Sequence, residues 1–229
     1  MNRITRFSLC VGTAVVLAAC AAQPPRHGGV EMSEAGLERV PGMTFDEVWV
    51  RPGIDLGAYR EFVLDSVQLE YRDVDERLGI HSLRPRPGND AYSIPDGQRA
   101  RIEETFERRL GEALAESKHY RRVEERDPGT LTVRVMLVDF VSRVPAQEPF
   151  ADLWVRSVGE GTLIVELWDV GRDDLLVRAL SHRKDARAPG RDLIRANQVA
   201  SWPELNRHMQ LWAGQTRALI DQLYRHGRG

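Results

Sequence analysis

The chain has 229 residues, 32 basic and 34 acidic, for a net charge of −2 with its six histidines neutral. That balance argues against nucleic acid as a partner, which would call for a strong basic excess. The length suits one folded domain with extensions, large enough to bury a core without staples.

Arg3 and Arg6 precede an apolar run that starts at Phe7 and ends in Leu17-Ala18-Ala19-Cys20. A basic start, an apolar core and small residues at a cut describe a secretory leader. At about 13 residues the run falls short of the ~20 needed to span a bilayer. The order aliphatic-small-small-Cys resembles the lipobox of bacterial lipoproteins. The resemblance implies cleavage before Cys20, a diacylglycerol on its sulfur and a lipid-anchored product. Ala21, where enteric sorting uses Asp to retain lipoproteins in the inner membrane, implies the outer membrane with the domain facing the periplasm. Ala19-Cys20-Ala21 also fits ordinary secretory cleavage, which would release the protein. Cys10 leaves with the leader and Cys20 carries lipid, so the mature fold is expected to hold without a disulfide.

The expected organisation is a leader over 1–19, a lipidated N-terminus and tether over 20–44, and a domain over 45–226. The tether is read from Pro24, Pro25, Gly28, Gly29, Pro41 and Gly42, with little apolar periodicity between them; part of it could instead lie on the domain as an ordered arm. Val48-Trp49-Val50 is a first strand, stopped by Pro52-Gly53. Phe62-Val63-Leu64 opens a second that continues through Val67, Leu69 and Tyr71 at alternate positions. Charge and proline make 72–96 an irregular insertion.

Ile102, Phe106, Leu110, Ala113 and Leu114 then recur at helical spacing, with Asp96 as the expected N-cap. A short edge strand is expected near Val123. Leu131, Val133, Val135 and Leu137 alternate with Thr132, Arg134, Met136 and Val138 in the best strand of the chain. Its far half is apolar on both faces and belongs in the middle of a sheet. After a connection over 142–159, Thr162–Trp168 and Leu175–Leu180 make an antiparallel hairpin around an Asp/Gly-rich turn. A polar connector over 185–200 leads to a last helix, expected to open on a capping box formed by Ser201 and Glu204. Leu205, Met209, Trp212, Thr216, Leu219, Ile220 and Leu223 form its inner stripe. The order β-β-α-β-(β-β)-α predicts an α+β fold, a mainly antiparallel sheet with two amphipathic helices packed on one face.

The run from Val50 through Pro52, Asp55, Tyr59 and Phe62 to Asp65 resembles the opening of a proteobacterial lipoprotein family built on a domain of unknown function (3313). The resemblance covers about residues 45–225. At greater distance the strand-helix-strand order is similar to small periplasmic modules such as the TolB N-terminal, CsgG-like and LpoB-like domains. None of these resemblances implies a catalytic residue.

The sequence carries no nucleophile elbow, zincin helix, paired-cysteine site or phosphate-binding glycine loop. Gly159-Glu160-Gly161 reads as a turn, and Asp73-Val74-Asp75-Glu76 as a solvated charge run rather than a calcium loop. His182 ends a strand beside Asp185, and a Ser/His/Asp site there would need distant partners. Phe150 and Trp154 lie in the long connection, four apart, where one helical turn could present both. Such side chains either pack down on the domain or meet a partner. The expected function is non-enzymatic and needs no cofactor or metal: a lipid-anchored envelope domain that binds a protein or another envelope component, with Phe150 and Trp154 as candidate docking residues. The alternative is a carrier of lipid or a small amphiphile within an envelope transport system, which would need an apolar pocket of several hundred Å³ (roughly 300–1,000 Å³).

Overall fold

The computed structural model describes residues 26–27, 30–74, 91–144, 154–155, 158–184, 194–195 and 198–226. Among the described residues the strands are, in chain order, β1 (Arg26–His27), β2 (Val30–Glu31), β3 (Glu38–Arg39), β4 (Glu47–Val50), β5 (Glu61–Leu64), β6 (Gln68–Tyr71), β7 (Arg121–Arg122), β8 (Thr130–Ser142), β9 (Trp154–Val155), β10 (Gly159–Asp169), β11 (Asp174–Lys184) and β12 (Ile194–Arg195). Helix α1 spans Asp96–Ala115 and α2 spans Gln198–His226.

Eight strands form one open, mixed sheet in the order β3-β4-β11-β10-β8-β5-β7, with β6 also on β8. The long strands β8, β10 and β11 pair antiparallel, as does β4 on β11. The parallel pairs are β5 and β6 on β8, and β7 on β5. They follow from connectivity: the chain leaves β6, crosses through α1 and returns to the same edge, and a crossover of that length makes strands parallel.

Period-two alternation sorts the sheet residues. Leu131, Val133, Val135 and Leu137 of β8 join Leu163, Val165 and Leu167 of β10 in the core beneath the helices. On the opposite face Arg178 pairs with Glu166 at 2.7 Å, and the Arg134 guanidinium lies 4.6 Å from the Trp168 ring centre. Helix α1 contributes Ile102, Phe106, Leu110 and Leu114 to the core, and α2 contributes Met209, Trp212, Ala213, Leu219, Ile220 and Leu223. The predicted α+β fold, with a sheet and two amphipathic helices, is present.

Several local expectations are corrected. Residues 31–44, placed in the tether, are part of the fold: Leu37 is 1% exposed, β3 pairs with β4, and the Thr44 backbone N–H and hydroxyl both donate to Gln222 Oε1. Asp96 is the first helical residue and not the cap; Pro95 holds that position and supplies no side-chain hydrogen bond. Helix α2 begins three residues before Ser201, so no capping box forms there, and Glu204 pairs instead with Arg207. The Gly159-Glu160-Gly161 stretch is strand, not turn.

The Asp/Gly-rich turn between β10 and β11 is as the sequence suggested, and it is tied to the core. Asp169 Oδ1 accepts from the backbone N–H groups of Gly171 and Arg172, while Oδ2 accepts from the Tyr59 hydroxyl at 2.5 Å. Burial, with that hydrogen bond, pushes the Tyr59 hydroxyl up to about 12.

Candidate functional site at one end of the sheet

Strand β8 carries one extra residue at Asp139. On the β10 side the register steps from Thr162 opposite Val138 to Glu160 opposite Val141. On the β6 side it steps from Leu69 opposite Leu137 to Tyr71 opposite Phe140. Both neighbours skip the same position, which defines a β-bulge. Asp139 sits there at φ 56°, a left-handed conformation that Asp tolerates better than most residues. Gly161 opposite it lets the strands pack closely: a Cβ would lie 3.1 Å from Leu137 Cδ1 and 3.2 Å from Phe140 Cδ2, so those side chains would have to give by a few tenths of an ångström.

The bulge is locked by charge. Arg72 donates from Nε to Asp139 Oδ1 at 2.6 Å and from Nη1 to Glu160 Oε1 at 2.9 Å. Arg143 Nη2 reaches the same Glu160 oxygen at 2.7 Å, and Glu160 is buried. The Arg72 hydrogen bond holds the Asp139 carboxyl below its usual range. Burial acts to raise Glu160, but hydrogen bonds from Arg143 and Arg72 outweigh it and the net shift is downward. For Asp169, burial again opposes, and the Tyr59 hydroxyl with two backbone N–H groups prevails.

These signs fix a pH dependence. A carboxylate whose folded pKa is depressed contributes stability above its unfolded pKa and loses it as pH falls through the folded value. The ordinary values are 3.8 for Asp and 4.5 for Glu. Thermal unfolding should therefore be nearly constant from neutrality to about pH 5 and decline steeply below about pH 4. The Glu160→Gln protein should start lower and show a shallower acid decline, measured by circular dichroism melts across the range. An unchanged acid limb in that variant would dissociate the bulge network from acid stability.

Beyond the bulge the sheet end and the two helix N-termini line a partly open cavity of about 100 Å³. Ile94, Ile102, Phe140, Val144, Val158 and Leu205 supply its apolar wall. Gln98 and Arg101 from α1, with Ser201 and Trp202 from α2, supply hydrogen-bonding groups and an aromatic rim. The Arg101 guanidinium lies 3.8 Å from the Trp202 ring centre. Ser201 Oγ is buried without a hydrogen-bond partner. Sequence reading missed this site; its one trace there is Ser201, read as half of a capping box.

The connection that carries Phe150 and Trp154 leaves the sheet at Val144 and rejoins it at Val158, both in the cavity wall. Trp154 lies in β9, antiparallel to β12, so it is in a short strand and not in a helical turn. Phe150 and Cys20 lie outside the described residues, as do Asp75 and Glu76. His182 Nδ1 meets Thr162 Oγ1 at 2.9 Å, and Asp46 accepts from the His182 backbone N–H rather than from its ring. Ser181 is buried, whereas His182 is exposed, so the two neighbours do not form a nucleophile and base. Among the described residues no group of three His, Cys, Asp or Glu side chains is placed to hold a metal, and no helix is long and apolar enough to cross a membrane.

A family model described as a protein of unknown function (DUF3313) matches residues 32–216. The chain belongs to that family. No curated protein sequence matches it. Among solved structures, a PelC dodecamer variant from Paraburkholderia phytofirmans is 11% identical, with 76% of this chain and 97% of that one covered at a TM-score of 0.36. A neuraminyllactose-binding hemagglutinin homolog from Helicobacter pylori is 13% identical, with 73% and 89% covered at 0.40. A Xanthomonas campestris protein of the DUF330 family model is 10% identical, with 78% and 93% covered at 0.39.

Proposed function

We propose that this DUF3313 protein is an envelope lipoprotein, anchored through Cys20 to the outer membrane, whose periplasmic domain binds a protein or another envelope component without catalysis. The observation that carries the binding reading is the filled interior. Most buried apolar side chains among the described residues form one cluster, and the cavity at the sheet end measures about 100 Å³. A carrier of lipid needs an apolar pocket of roughly 300–1,000 Å³; this cavity is smaller, and the wider hollows beside β3 and β4, about 310 and 490 Å³, are open and carry Glu38, Arg39, Arg51 and Asp55, which supports a binding module over a lipid carrier. The anchor reading is supported by Leu17-Ala18-Ala19-Cys20.

Replacing Cys20 by Ala tests the anchor. Each buried methylene contributes about 0.8 kcal/mol, so two or more chains hold a protein on the membrane while none leaves it free. Metabolic labelling with a clickable fatty acid should mark the parent chain and not the Cys20→Ala chain, which should also leave the membrane fraction. Undiminished labelling of the variant would falsify the lipoprotein reading.

A further inference from the structure

We propose that the cavity between the N-terminal turns of α1 and α2 is a binding site for a small apolar carboxylate, its carbon body among Ile102, Phe140 and Leu205 and its charge at Arg101. Three features of the site point to this chemistry independently.

The first is an unmatched cation. The Arg101 guanidinium is exposed at the cavity mouth, stacked on Trp202, and faces no carboxylate among the described residues. Most other arginines near it are paired: Arg99 with Asp96, Arg108 and Arg109 with Glu112, Arg207 with Glu204. Stacking on an indole leaves the guanidinium edge available, and that edge matches a carboxylate bidentately. Asp96, the acidic residue of the α1 first turn, is almost fully exposed and turned to Arg99.

The second is an unmet hydroxyl. Ser201 is 8% exposed, lines the cavity, and its Oγ has no partner. A buried hydroxyl without a partner is costly to the fold, and a ligand oxygen reaching it would remove that cost. Ser142, the other hydroxyl in the wall, is already engaged with the backbone of Val144 and does not compete.

The third is size and field. An apolar cavity of about 150 Å³ accommodates benzene, so about 100 Å³ suits a body of about four or five carbons. A lipid tail is excluded, and a single branched side chain or a short acid fits. Both helices present their first two turns to the cavity, and their positive ends favour an anionic group there. The same chemistry occurs in a free short-chain acid and at the C-terminal residue of a partner protein ending in an apolar side chain. The inference does not depend on the lipid anchor.

The test titrates the purified full chain, against a matched blank, with hexanoate, with hexanamide, and with N-acetyl-Ala-Ala-Leu bearing a free carboxylate, all followed by calorimetry. Hexanoate should saturate one site with a dissociation constant of about 1 mM or tighter. Hexanamide should bind about tenfold more weakly, the loss of one charge-assisted contact. The Arg101→Gln protein should keep its fold, since the side chain is exposed, and lose that preference for acid over amide. The Ser201→Ala protein should melt at a higher temperature without ligand and gain less on adding hexanoate, because its unpaired hydroxyl is gone. Tighter binding of the peptide than of hexanoate assigns the site to a partner's C-terminus; the reverse assigns it to a free acid. No saturable uptake of either acid, or an acid-to-amide preference unchanged in Arg101→Gln, overturns the proposal.

Discussion

The Val135→Asp protein should fail to fold under conditions in which the parent chain is stable. Val135 is fully buried and lies opposite Val165 on β10, another fully buried residue, within the single hydrophobic core. An aspartate there has apolar neighbours on the core side and no partner for its carboxyl group. Whether it stays charged or takes a proton, it costs several kcal/mol against a total stability of roughly 5–15 kcal/mol. The matched control is Met136→Asp, one residue along the same strand. Met136 points to the other face and is only half-buried, beside Ile164 and Gln68 in register. That substitution should lower the urea midpoint modestly and leave a cooperative transition. Equal unfolding midpoints for the two variants would mean that β8 does not divide core from outer face as described.

How far the sequence exposed this architecture depends on whether a residue's role is local or distant. Strand β8 was legible because alternation is carried by consecutive residues: Leu131, Val133, Val135 and Leu137 are all at most 1% exposed. The α2 stripe was legible for the same reason, down to Thr216, whose hydroxyl is buried and donates to the Trp212 carbonyl four residues earlier. Helix starts were not. Ser201 and Glu204 have the spacing of a capping box, but α2 extends back to Gln198, and Pro203 stands inside the helix. A cap and a first-turn residue share one sequence signature, and tertiary packing chooses between them. The ordered arm stayed an alternative to a tether because Leu37 and Val40 are isolated apolar residues among Gly, Pro and Glu, and their burial depends on β4, ten residues away. The bulge was hidden too. Nothing near Asp139 marks it, because its cause is Arg72, 67 residues earlier, and the space left by Gly161. The cavity is the same case: its wall draws on α1, β8, α2 and on Val144 and Val158 between β8 and β10, and no window of sequence contains it. Cys20 stands apart, since its proposed role rests on a contiguous motif and needs no fold at all.

Phe106→Ala should produce the largest loss of stability among single truncations on the helices. Phe106 is fully buried at the middle of the inner face of α1. Its ring meets that of Trp212 on α2 edge-on, with centres 6.0 Å apart and planes at 61°. Trp212 in turn meets Phe140, next to the bulge, at 6.5 Å and 76°. Truncation removes the link between α1 and this aromatic chain and leaves a hole that rigid neighbours cannot close. Such deletions cost about 3–5 kcal/mol, and the lost aromatic pair lies within that figure. At roughly 2–4 °C per kcal/mol for a domain of this size, the melting temperature should fall by about 6–20 °C. Two further variants separate packing from position. Leu211→Ala, next to Trp212 but 48% exposed, should change stability by no more than about 0.5 kcal/mol. Trp212→Phe should cost less than Phe106→Ala despite removing a larger ring. The Trp212 indole N–H is buried with no hydrogen-bond partner, and phenylalanine removes that unpaired donor while keeping an aromatic edge toward Phe106. If Trp212→Phe proves the more damaging of the two, the indole N–H has a partner after all, and the helix interface is held by polar contact as well as by packing.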